Sequence, residues 1–228
     1  MLSIVIPVLD EAATIVQALH RLQPLRDRGA EVIVVDGGSS DATIAHARPL
    51  ADQVESAPRG RAAQMNAGAA RAQGEALLFL HADTVLPDDA DRHIAAALAG
   101  GAEWGRFDVR IEGTHPMLAV VAWSMNLRSR LSAIATGDQA MFVRRETFVA
   151  VGGFADIALM EDIALSRALK QRGRPACLRP RVTTSGRRWQ KHGVFRTIVL
   201  MWRLRLAYFL GADPSDLAVR YGYRPAQR

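Results

Sequence analysis

An apolar run that stops abruptly at polar residues constrains this chain more than any other feature. Residues 75–84 read Glu-Ala-Leu-Leu-Phe-Leu-His-Ala-Asp-Thr, so a predicted buried strand ends in a His-Ala-Asp triplet. Ligands of open α/β sheets bind at the carboxyl ends of the strands. A second strand pattern ends at Asp36, and an acidic pair, Glu161 and Asp162, follows later. These three acidic positions predict a site that handles a metal ion, a phosphate and a hydroxyl group.

Strand and helix patterns alternate through the first third of the chain. Such alternation implies right-handed crossovers and a mainly parallel sheet, so residues 1–84 are predicted to form the Rossmann-like, nucleotide-binding half of an α/β fold. The dinucleotide fingerprint G-x-G-x-x-G is missing after the first strand, which argues against an NAD or FAD dehydrogenase. The predicted strands are 2–8, 31–36, 54–57 and 77–81, and the predicted helices are 12–25, a short one ending at 46, and 60–73.

The second half of the chain changes character, and 228 residues are enough for one substantial domain or one domain with an appended lobe. We therefore expect a single domain over 1–228, divided into halves at 1–84 and 85–190, with a helical extension over 191–228. The second half is predicted to contain helices over 88–98, 116–131 and 160–172, and strands over 104–112 and 139–144.

Composition and net charge limit the cellular compartment and the partners that the chain is expected to have. The one cysteine, Cys177, permits no internal disulfide and fits a reducing cytoplasm. The amino terminus lacks a basic leader, and no apolar stretch of about 18 residues occurs, so neither a signal peptide nor a transmembrane helix is predicted. The net charge of +6 is dominated by arginine, which reflects either an arginine-rich genome or an anionic ligand or membrane surface. No nucleic-acid partner is predicted.

The apolar helix predicted over 194–210 carries three arginines. At 3.6 residues per turn Arg196 and Arg203 share a face, whereas Arg205 lies opposite, which is untypical of an amphipathic surface helix. Two interpretations stay open: the helix packs on its own domain or on a second subunit as a homodimer, or it contacts a membrane surface with its arginines snorkelling. The second would place a cytoplasmic protein at the inner face of the cell membrane.

The chain contains, in this order, short motifs over residues 3–11, 35–41, 66–70, 80–83, 152–154 and 161–162. Taken together, these motifs resemble the family 2 glycosyltransferases with the GT-A fold. The His-Ala-Asp triplet and the Gly-Asp-Gln segment at 137–139 are most similar to the bacterial arsenosugar-biosynthesis-type subset. The resemblance implies an inverting transfer of a sugar from a nucleotide diphosphate sugar, with a UDP-sugar favoured, to an unidentified acceptor hydroxyl in the half over 85–190.

The resemblance also implies donor-binding residues. Asp36 would contact the base of the donor, although a carboxylate at this position can instead cap the turn that follows. Pro7 and Glu11 would hold the nucleoside, and Glu11 can also cap its helix. Both roles of Glu11 are compatible.

Arginines beside a helix start suggest where the diphosphate binds. Arg59 and Arg61 flank a glycine at the start of a predicted helix, whose free N–H groups attract anions. Asn66 would face the same cleft, and Arg188 could also reach the diphosphate. The alternative is that Arg59 and Arg61 are ordinary solvated surface residues.

A divalent metal ion, Mn²⁺ or Mg²⁺, is expected to stabilise charge on the leaving diphosphate. Asp83 is the predicted ligand. His81 stands where the family usually has the first Asp of Asp-x-Asp, and its imidazole suits Mn²⁺ better than Mg²⁺ or donates to ribose or phosphate instead. His192 is a weaker third candidate, and Asp83 as a plain turn residue is the alternative.

A carboxylate at a helix start is the predicted catalytic base. Asp162 matches the family's catalytic position, with Glu161 second, and a pair favoured by the helix dipole is the alternative. Asp138, Gln139 and Trp189 are predicted on the acceptor side. The absence of Gln before the Arg-Trp pair argues against a processive polymerase.

Two other functions remain open at this point. A nucleotidyltransferase would share the sheet and the metal carboxylates, but its glycine-rich loop with Lys or Arg after the first strand is missing. A catalytically silent nucleotide-sugar-binding protein would not need Asp83 and Asp162.

Overall fold

The computed structural model describes residues 1–223. Strands and helices alternate from the amino terminus, as predicted, and the last third is mostly helical. The elements in chain order are β1 (Leu2–Val8), α1 (Ile15–Asp27), β2 (Glu31–Asp36), α2 (Thr43–Ala47), β3 (Gln53–Ser56), α3 (Arg61–Arg71), β4 (Ala76–Phe79), β5 (Thr84–Val85), α4 (Ala90–Ala99), β6 (Trp104–Ile111), α5 (Met117–Ser132), β7 (Phe142–Arg144), α6 (Arg145–Ala150), α7 (Glu161–Lys170), β8 (Ala176–Thr184), α8 (Arg187–His192), α9 (Val194–Phe209) and α10 (Pro214–Tyr221).

The strands form one sheet in the order β3-β2-β1-β4-β7-β6-β8-β5. Strands β3, β2, β1 and β4 run parallel to one another, and β6 is parallel to β8. Strand β7 runs antiparallel to β4 and β6, and β5 runs antiparallel to β8. The prediction of an α/β fold with a mainly parallel sheet is therefore confirmed.

Helices cover both faces of the sheet, which is why its first strands are apolar throughout. On one face Ile4 and Ile6 of β1 pack in a core that includes residues of α1, α4 and α5. On the other face Val5 of β1 packs with residues of α3 and α6. A third cluster joins Leu159, Met160 and Ile163 to α9 and α10. Helices α9 and α10 of the predicted extension are thus packed against the start of α7.

The elements that the sequence did not predict are short, or their apolar pattern is interrupted by charged residues and proline. Strand β8 contains Arg179, Pro180 and Arg181, and the register with β6 jumps from Leu178 to Arg181. The bulge leaves Pro180 outside the ladder, where its missing N–H costs nothing. The strand predicted over 139–144 begins only at Phe142, because residues 137–139 form a 3₁₀ turn.

No helix within residues 1–223 is both long and apolar enough to span a membrane. The division of the chain at 84 and 190 stays a prediction, although one continuous sheet contains strands from both halves.

Small residues let α3 approach β1 and β2 closely. A Cβ added at Gly68 would lie 2.4 Å from Val5 Cγ1 and 2.9 Å from Val35 Cγ2. Both valines are fully buried. Because these methyl groups belong to a close-packed interior, they have little room to move.

We expect Gly68→Ala to destabilise the protein by about 1–3 kcal/mol through overpacking. Glycine to alanine in a helix otherwise stabilises by about 1 kcal/mol. Urea denaturation gives the free energy of unfolding of each protein and so shows whether Gly68→Ala destabilises or stabilises. Gly100→Ala is the control, since a Cβ there meets nothing closer than 3.4 Å. A Gly68→Ala protein as stable as the wild type would contradict the packing described for α3.

Candidate active site

A cleft of about 400 Å³ opens at the carboxyl ends of β1 and β4. Polar and charged side chains from separate parts of the chain meet in it. Other depressions of similar or larger size, about 460 Å³ at the amino ends of β1 and β4 and about 700 Å³ beside α5, do not contain this set. The lining includes Pro7, Val8, Glu11, Arg61, Gln64, His81, Asp83, Asp138, Arg187, Arg188, Trp189, Thr197, Met201, Tyr221 and Tyr223.

The loops after β1 and β2 are joined by side chain to backbone hydrogen bonds. Asp10, which has a φ of 53°, accepts from the N–H of Ser40 at 2.8 Å. The N–H of Glu11 donates to Thr43 Oγ1 at 2.8 Å. Glu11 Oε2 also accepts from the Thr14 hydroxyl at the start of α1. Glu11 therefore lines the cleft and contacts the residue before α1, but α1 has no side-chain cap hydrogen bond, so the capping role of Glu11 is not observed.

The acidic pair at the start of α7 lies in a smaller cavity of about 110 Å³ that adjoins the cleft. Arg61, His81 and Asp138 line both spaces. Asp162 Oδ2 accepts from the N–H of Gly137 at 2.9 Å, and Oδ1 accepts from the N–H of Ile163 at 2.7 Å. These bonds fix the carboxylate in the smaller cavity.

Burial and mutual repulsion change the protonation of the acidic pair. Glu161 is only 5 % exposed. Burial and the charge of Asp162 raise the pKa of Glu161 to about 7. Burial also raises the pKa of Asp162, against the stabilising hydrogen bond from Gly137. A carboxyl group with a raised pKa is a better proton acceptor, and such groups concentrate at functional sites.

Guanidinium groups face these carboxylates. The Arg61 side chain is exposed to solvent in the cleft. Desolvation by nearby protein atoms opposes its charge, but the charges of Glu161, Asp138 and Asp162 raise the pKa of Arg61. On the far side of the cleft, Arg187 lies 3.6 Å from Asp83 Oδ2. The cleft therefore has cationic side chains, which favour an anionic ligand. Acidic groups lie beside them.

The sequence did not point to Tyr221, which α10 brings back to the cleft. Arg188 stacks on its ring with 3.5 Å from Cζ to the centroid, and donates to its backbone carbonyl at 2.5 Å. The Nε atom of Arg188 is buried without a hydrogen-bond partner. Short helix α10 has the signal of an N-cap Asp followed by Pro, but nothing in the sequence indicates what it covers.

Arg128 of α5 is a second residue that the sequence did not indicate. Its Nε and Nη2 atoms are buried and have no hydrogen-bond partner. Burial lowers its pKa, and the charges of Asp162 and Asp138 act in the opposite direction. No motif marks Arg128, because its place near the acidic pair depends on how α5 packs.

Two predicted metal ligands lie in the cleft with other partners. His81 Nδ1 is 3.5 Å from Asp138 Oδ1, and Asp83 pairs with Arg187. Across the described chain, no group of three or more His, Cys, Asp or Glu side chains is placed to hold a metal ion. An imidazole and a carboxylate nevertheless fit Mn²⁺ when phosphate oxygens and water complete its ligand set.

Several predicted site residues do not line the cleft. Asp36 accepts from the N–H groups of Gly38 and Ser39 and from the Ser39 hydroxyl. This is the turn-capping arrangement that the sequence left open, and a contact of Asp36 with the base stays a prediction. Asn66 instead bonds both backbone groups of Phe154, at 2.8 and 2.9 Å.

Gln139 also departs from its predicted place. It is fully buried and bonds Asn126, Ser129 and the N–H of Thr136. The 3₁₀ turn at 137–139 turns its side chain into the core, whereas Asp138 faces the cleft.

The remaining predicted residues divide between the cleft and the surface. Pro7 and Trp189 line the cleft. Arg59 is exposed, with its guanidinium 5.8 Å from the Tyr223 ring. His192 is exposed at the end of α8, away from the cleft lining.

The chain is similar to a curated protein of succinoglycan biosynthesis. The chain is 30 % identical over 191 residues to the succinoglycan biosynthesis protein ExoA of Rhizobium meliloti (strain 1021). The match covers 75 % of this chain and 58 % of that protein. The chain thus spans little more than half the length of this relative.

Solved structures with the same fold include several glycosyltransferases. The mannosyltransferase PcManGT of Pyrobaculum calidifontis, in complex with GDP-Man and Mn²⁺, has a TM-score of 0.66 at 23 % identity, covering 98 % of this chain and 65 % of that one. S. aureus TarS in complex with UDP-GlcNAc has a TM-score of 0.65 at 18 % identity, with coverages of 81 % and 58 %. At these identities the likeness concerns the fold, and it confirms the predicted GT-A architecture.

The glucosyl-3-phosphoglycerate synthase of Mycobacterium tuberculosis, in complex with Mn²⁺, UDP and its product, also has a TM-score of 0.65. Its identity is 18 %, and the match covers 99 % of this chain and 81 % of that one.

The family model described as glycosyl transferase family 2 matches residues 3–155, which is more than half of the sequence. This chain therefore belongs to glycosyl transferase family 2.

Proposed function

We propose that this chain is a glycosyltransferase that moves a sugar from a nucleotide diphosphate sugar to an acceptor hydroxyl with inversion. The observation that carries the proposal is the meeting of Arg61, Arg187 and Arg188 with the acidic pair in two connected cavities. Sugar transfer requires both parts, because the leaving diphosphate needs positive charge and the attacking hydroxyl needs a proton acceptor.

The cationic side of the cleft suits the donor. Arg61 and Arg188 supply guanidinium groups that match phosphate oxygens. Pro7 and Glu11 line the cleft near the end of β1, and we propose that they hold the nucleoside. Complexes with GDP-Man, UDP and UDP-GlcNAc in structures of the same fold support a nucleotide sugar. We favour a UDP-sugar, because UDP or its sugar occurs in two of those three.

A divalent ion would be held by Asp83 and His81, where it would stabilise negative charge on the departing diphosphate. The Mn²⁺ and Mg²⁺ complexes of related structures support this assignment. Arg187 already pairs with Asp83 at 3.6 Å. Its guanidinium supplies positive charge at the same carboxylate, so an ion and Arg187 would share the task of neutralising the diphosphate.

The acidic side of the cleft suits the acceptor. Asp162, with Glu161 beside it, is proposed to take the proton from the acceptor hydroxyl as that oxygen attacks the sugar. Two backbone N–H groups keep the Asp162 carboxylate oriented. Asp138 and Trp189 line the cleft where the acceptor would enter. The His-Ala-Asp triplet supports the arsenosugar-biosynthesis-type subset as the nearer group within the family.

We expect Asp162→Asn to reduce sugar transfer at least about 100-fold while leaving the donor affinity within about threefold, because only the proton acceptor is lost. Release of nucleoside diphosphate from UDP-sugars and GDP-mannose measures turnover, and calorimetry measures donor affinity. Exposed Asp156→Asn in the segment before α7 is the matched control. Full turnover by Asp162→Asn would refute the assigned base, and release of inorganic diphosphate from nucleoside triphosphate and sugar phosphate would indicate a nucleotidyltransferase instead.

The metal assignment has its own test. Asp83→Asn is expected to abolish the gain in donor affinity that Mn²⁺ provides, since it removes the ligand's charge, and to change affinity little in EDTA. Titrations of UDP with and without Mn²⁺ give the two affinities. Exposed Asp88→Asn serves as the control. An unaltered Mn²⁺ effect in Asp83→Asn would exclude Asp83 as the ligand.

Glu161 predicts a pH dependence of stability in the ligand-free protein. Its folded pKa of about 7 lies above the unfolded value of about 4.3, so the folded protein binds this proton more tightly. The resulting stability is fully present below the unfolded pKa and is lost as the pH rises through the folded pKa. Thermal unfolding should therefore show Glu161→Gln becoming more stable relative to wild type as the pH rises. Exposed Glu146→Gln is the control, and parallel profiles for wild type and Glu161→Gln would contradict the raised pKa.

A further inference from the structure

Most of the large apolar side chains that the described chain exposes lie on two helices, α5 and α9. On α9 they recur at intervals of three and four residues and so form one row. On α5 a second row has the same spacing. The exposed residues are Val120, Trp123, Leu127 and Leu131 on α5, and Phe195, Val199, Trp202, Leu206 and Phe209 on α9. We call these two rows the α5–α9 face.

The two helices are neighbours, so the rows lie on one side of the molecule. Val194 and Ile198 of α9 pack in the same core cluster as Leu118 and Ala122 of α5. The rings of His115, just before α5, and Phe195 have centroids 6.2 Å apart. A continuous exposed apolar surface of this kind marks an interaction site.

The charges of these helices have one sign. Neither α5 nor α9 contains an acidic residue, and together they carry five arginines. Arg196 and Arg203 are exposed beside the apolar row of α9. Arg205 points the other way and lines the acidic cavity with Glu161. The placement of Arg205 opposite the other two arginines is untypical of a surface helix, but it is explained by this inner contact. The outer face of α9 then carries only the apolar row with Arg196 and Arg203 beside it, and is amphipathic.

We propose that the α5–α9 face docks on a membrane surface that contains anionic lipid. Indole rings favour the boundary between headgroups and acyl chains, and Trp123 and Trp202 are 64 % and 72 % exposed. Arg196 and Arg203 can extend to lipid phosphates while the apolar row enters the boundary. A two-fold dimer through this face would instead bring the arginines of two copies together, and neither α5 nor α9 has an acidic residue to pair with them.

Docking would bring the membrane close to the cleft. Thr197 and Met201, on the inner side of α9, line the cleft, whereas Val199 and Trp202 are exposed on its outer side. One helix diameter, about 10 Å, separates the two sides. The docking itself does not depend on the proposed activity, because it rests on the outer side alone.

Flotation of the protein with vesicles tests the proposal. We expect binding to vesicles of phosphatidylcholine with phosphatidylglycerol to be at least about tenfold tighter than to phosphatidylcholine alone, and to weaken with added salt, because exposed arginines contribute through a screened attraction. Equal binding to both vesicles, or none to either, would overturn the proposal.

Variants of the α5–α9 face, compared with control variants on α6, test which surface binds the vesicles. Val199→Ser and Trp202→Ser should weaken binding to anionic vesicles, and Arg203→Gln should weaken it about fivefold. Val149→Ser and Arg145→Gln are the controls, because both residues are exposed on α6, whose Phe148 packs against the other face of the sheet. Unchanged unfolding temperatures confirm that the variants fold. Equal loss in the controls would overturn the location.

Self-association is measured in parallel by sedimentation equilibrium without lipid. The wild type is expected to be monomeric at the concentrations used for flotation. A dimer that Trp202→Ser dissociates, with no anionic-vesicle binding by the wild type, would show that a second copy covers the α5–α9 face and would overturn membrane docking.

Discussion

The charge balance between the buried start of α7 and the arginines around it is the constraint on which the cleft depends. Glu161 is almost completely buried, and Asp162 is held by two backbone N–H groups, so neither carboxylate can turn away to solvent. Their charges raise the pKa of Arg61. The charge of Asp162 also counteracts the lowering of the pKa of Arg128 by burial. Two carboxylates this close cannot both ionise freely, and burial of Glu161 raises its pKa toward neutrality. The site thus holds a proton acceptor and fixed positive charge in one small volume.

The carboxyl-terminal helices complete this arrangement. Helix α9 lines the cleft through Thr197 and Met201 and the acidic cavity through Leu204 and Arg205. Helix α10 adds Tyr221, on which Arg188 stacks. Because α9 also carries the outer apolar row, one element would connect the proposed chemistry with the proposed membrane contact.

Much of the fold could be predicted from the sequence because its signals are local. Strands β1 and β2 are buried on both faces and read as unbroken apolar runs, so their bounds were predicted as the structure has them. Strand β8 was not predicted, because its arginines and Pro180 belong to a bulged strand whose existence depends on β6. The ends of α3 and α7 were predicted to within a few residues, since glycine and charge mark helix termini.

The candidate site was predictable only where strand ends determine it. His81 and Asp83 follow β4, and Pro7 closes β1, so their meeting in the cleft follows from the parallel sheet. At other positions the direction of a side chain depends instead on the hydrogen bonds that the fold offers it. For that reason Asp36 caps its turn, Asn66 holds the backbone of Phe154 and Gln139 enters the core. Arg128 and Tyr221 escaped prediction because helix packing, which leaves no short motif, brings them in.

The most direct measurement is a crystal structure of the protein with UDP and Mn²⁺. The account predicts the diphosphate in the cleft at the ends of β1 and β4, in contact with Arg61 or Arg188, with the metal ion between it and Asp83. Nucleotide in the groove of about 700 Å³ beside α5, or in the depression at the amino ends of β1 and β4, would contradict it.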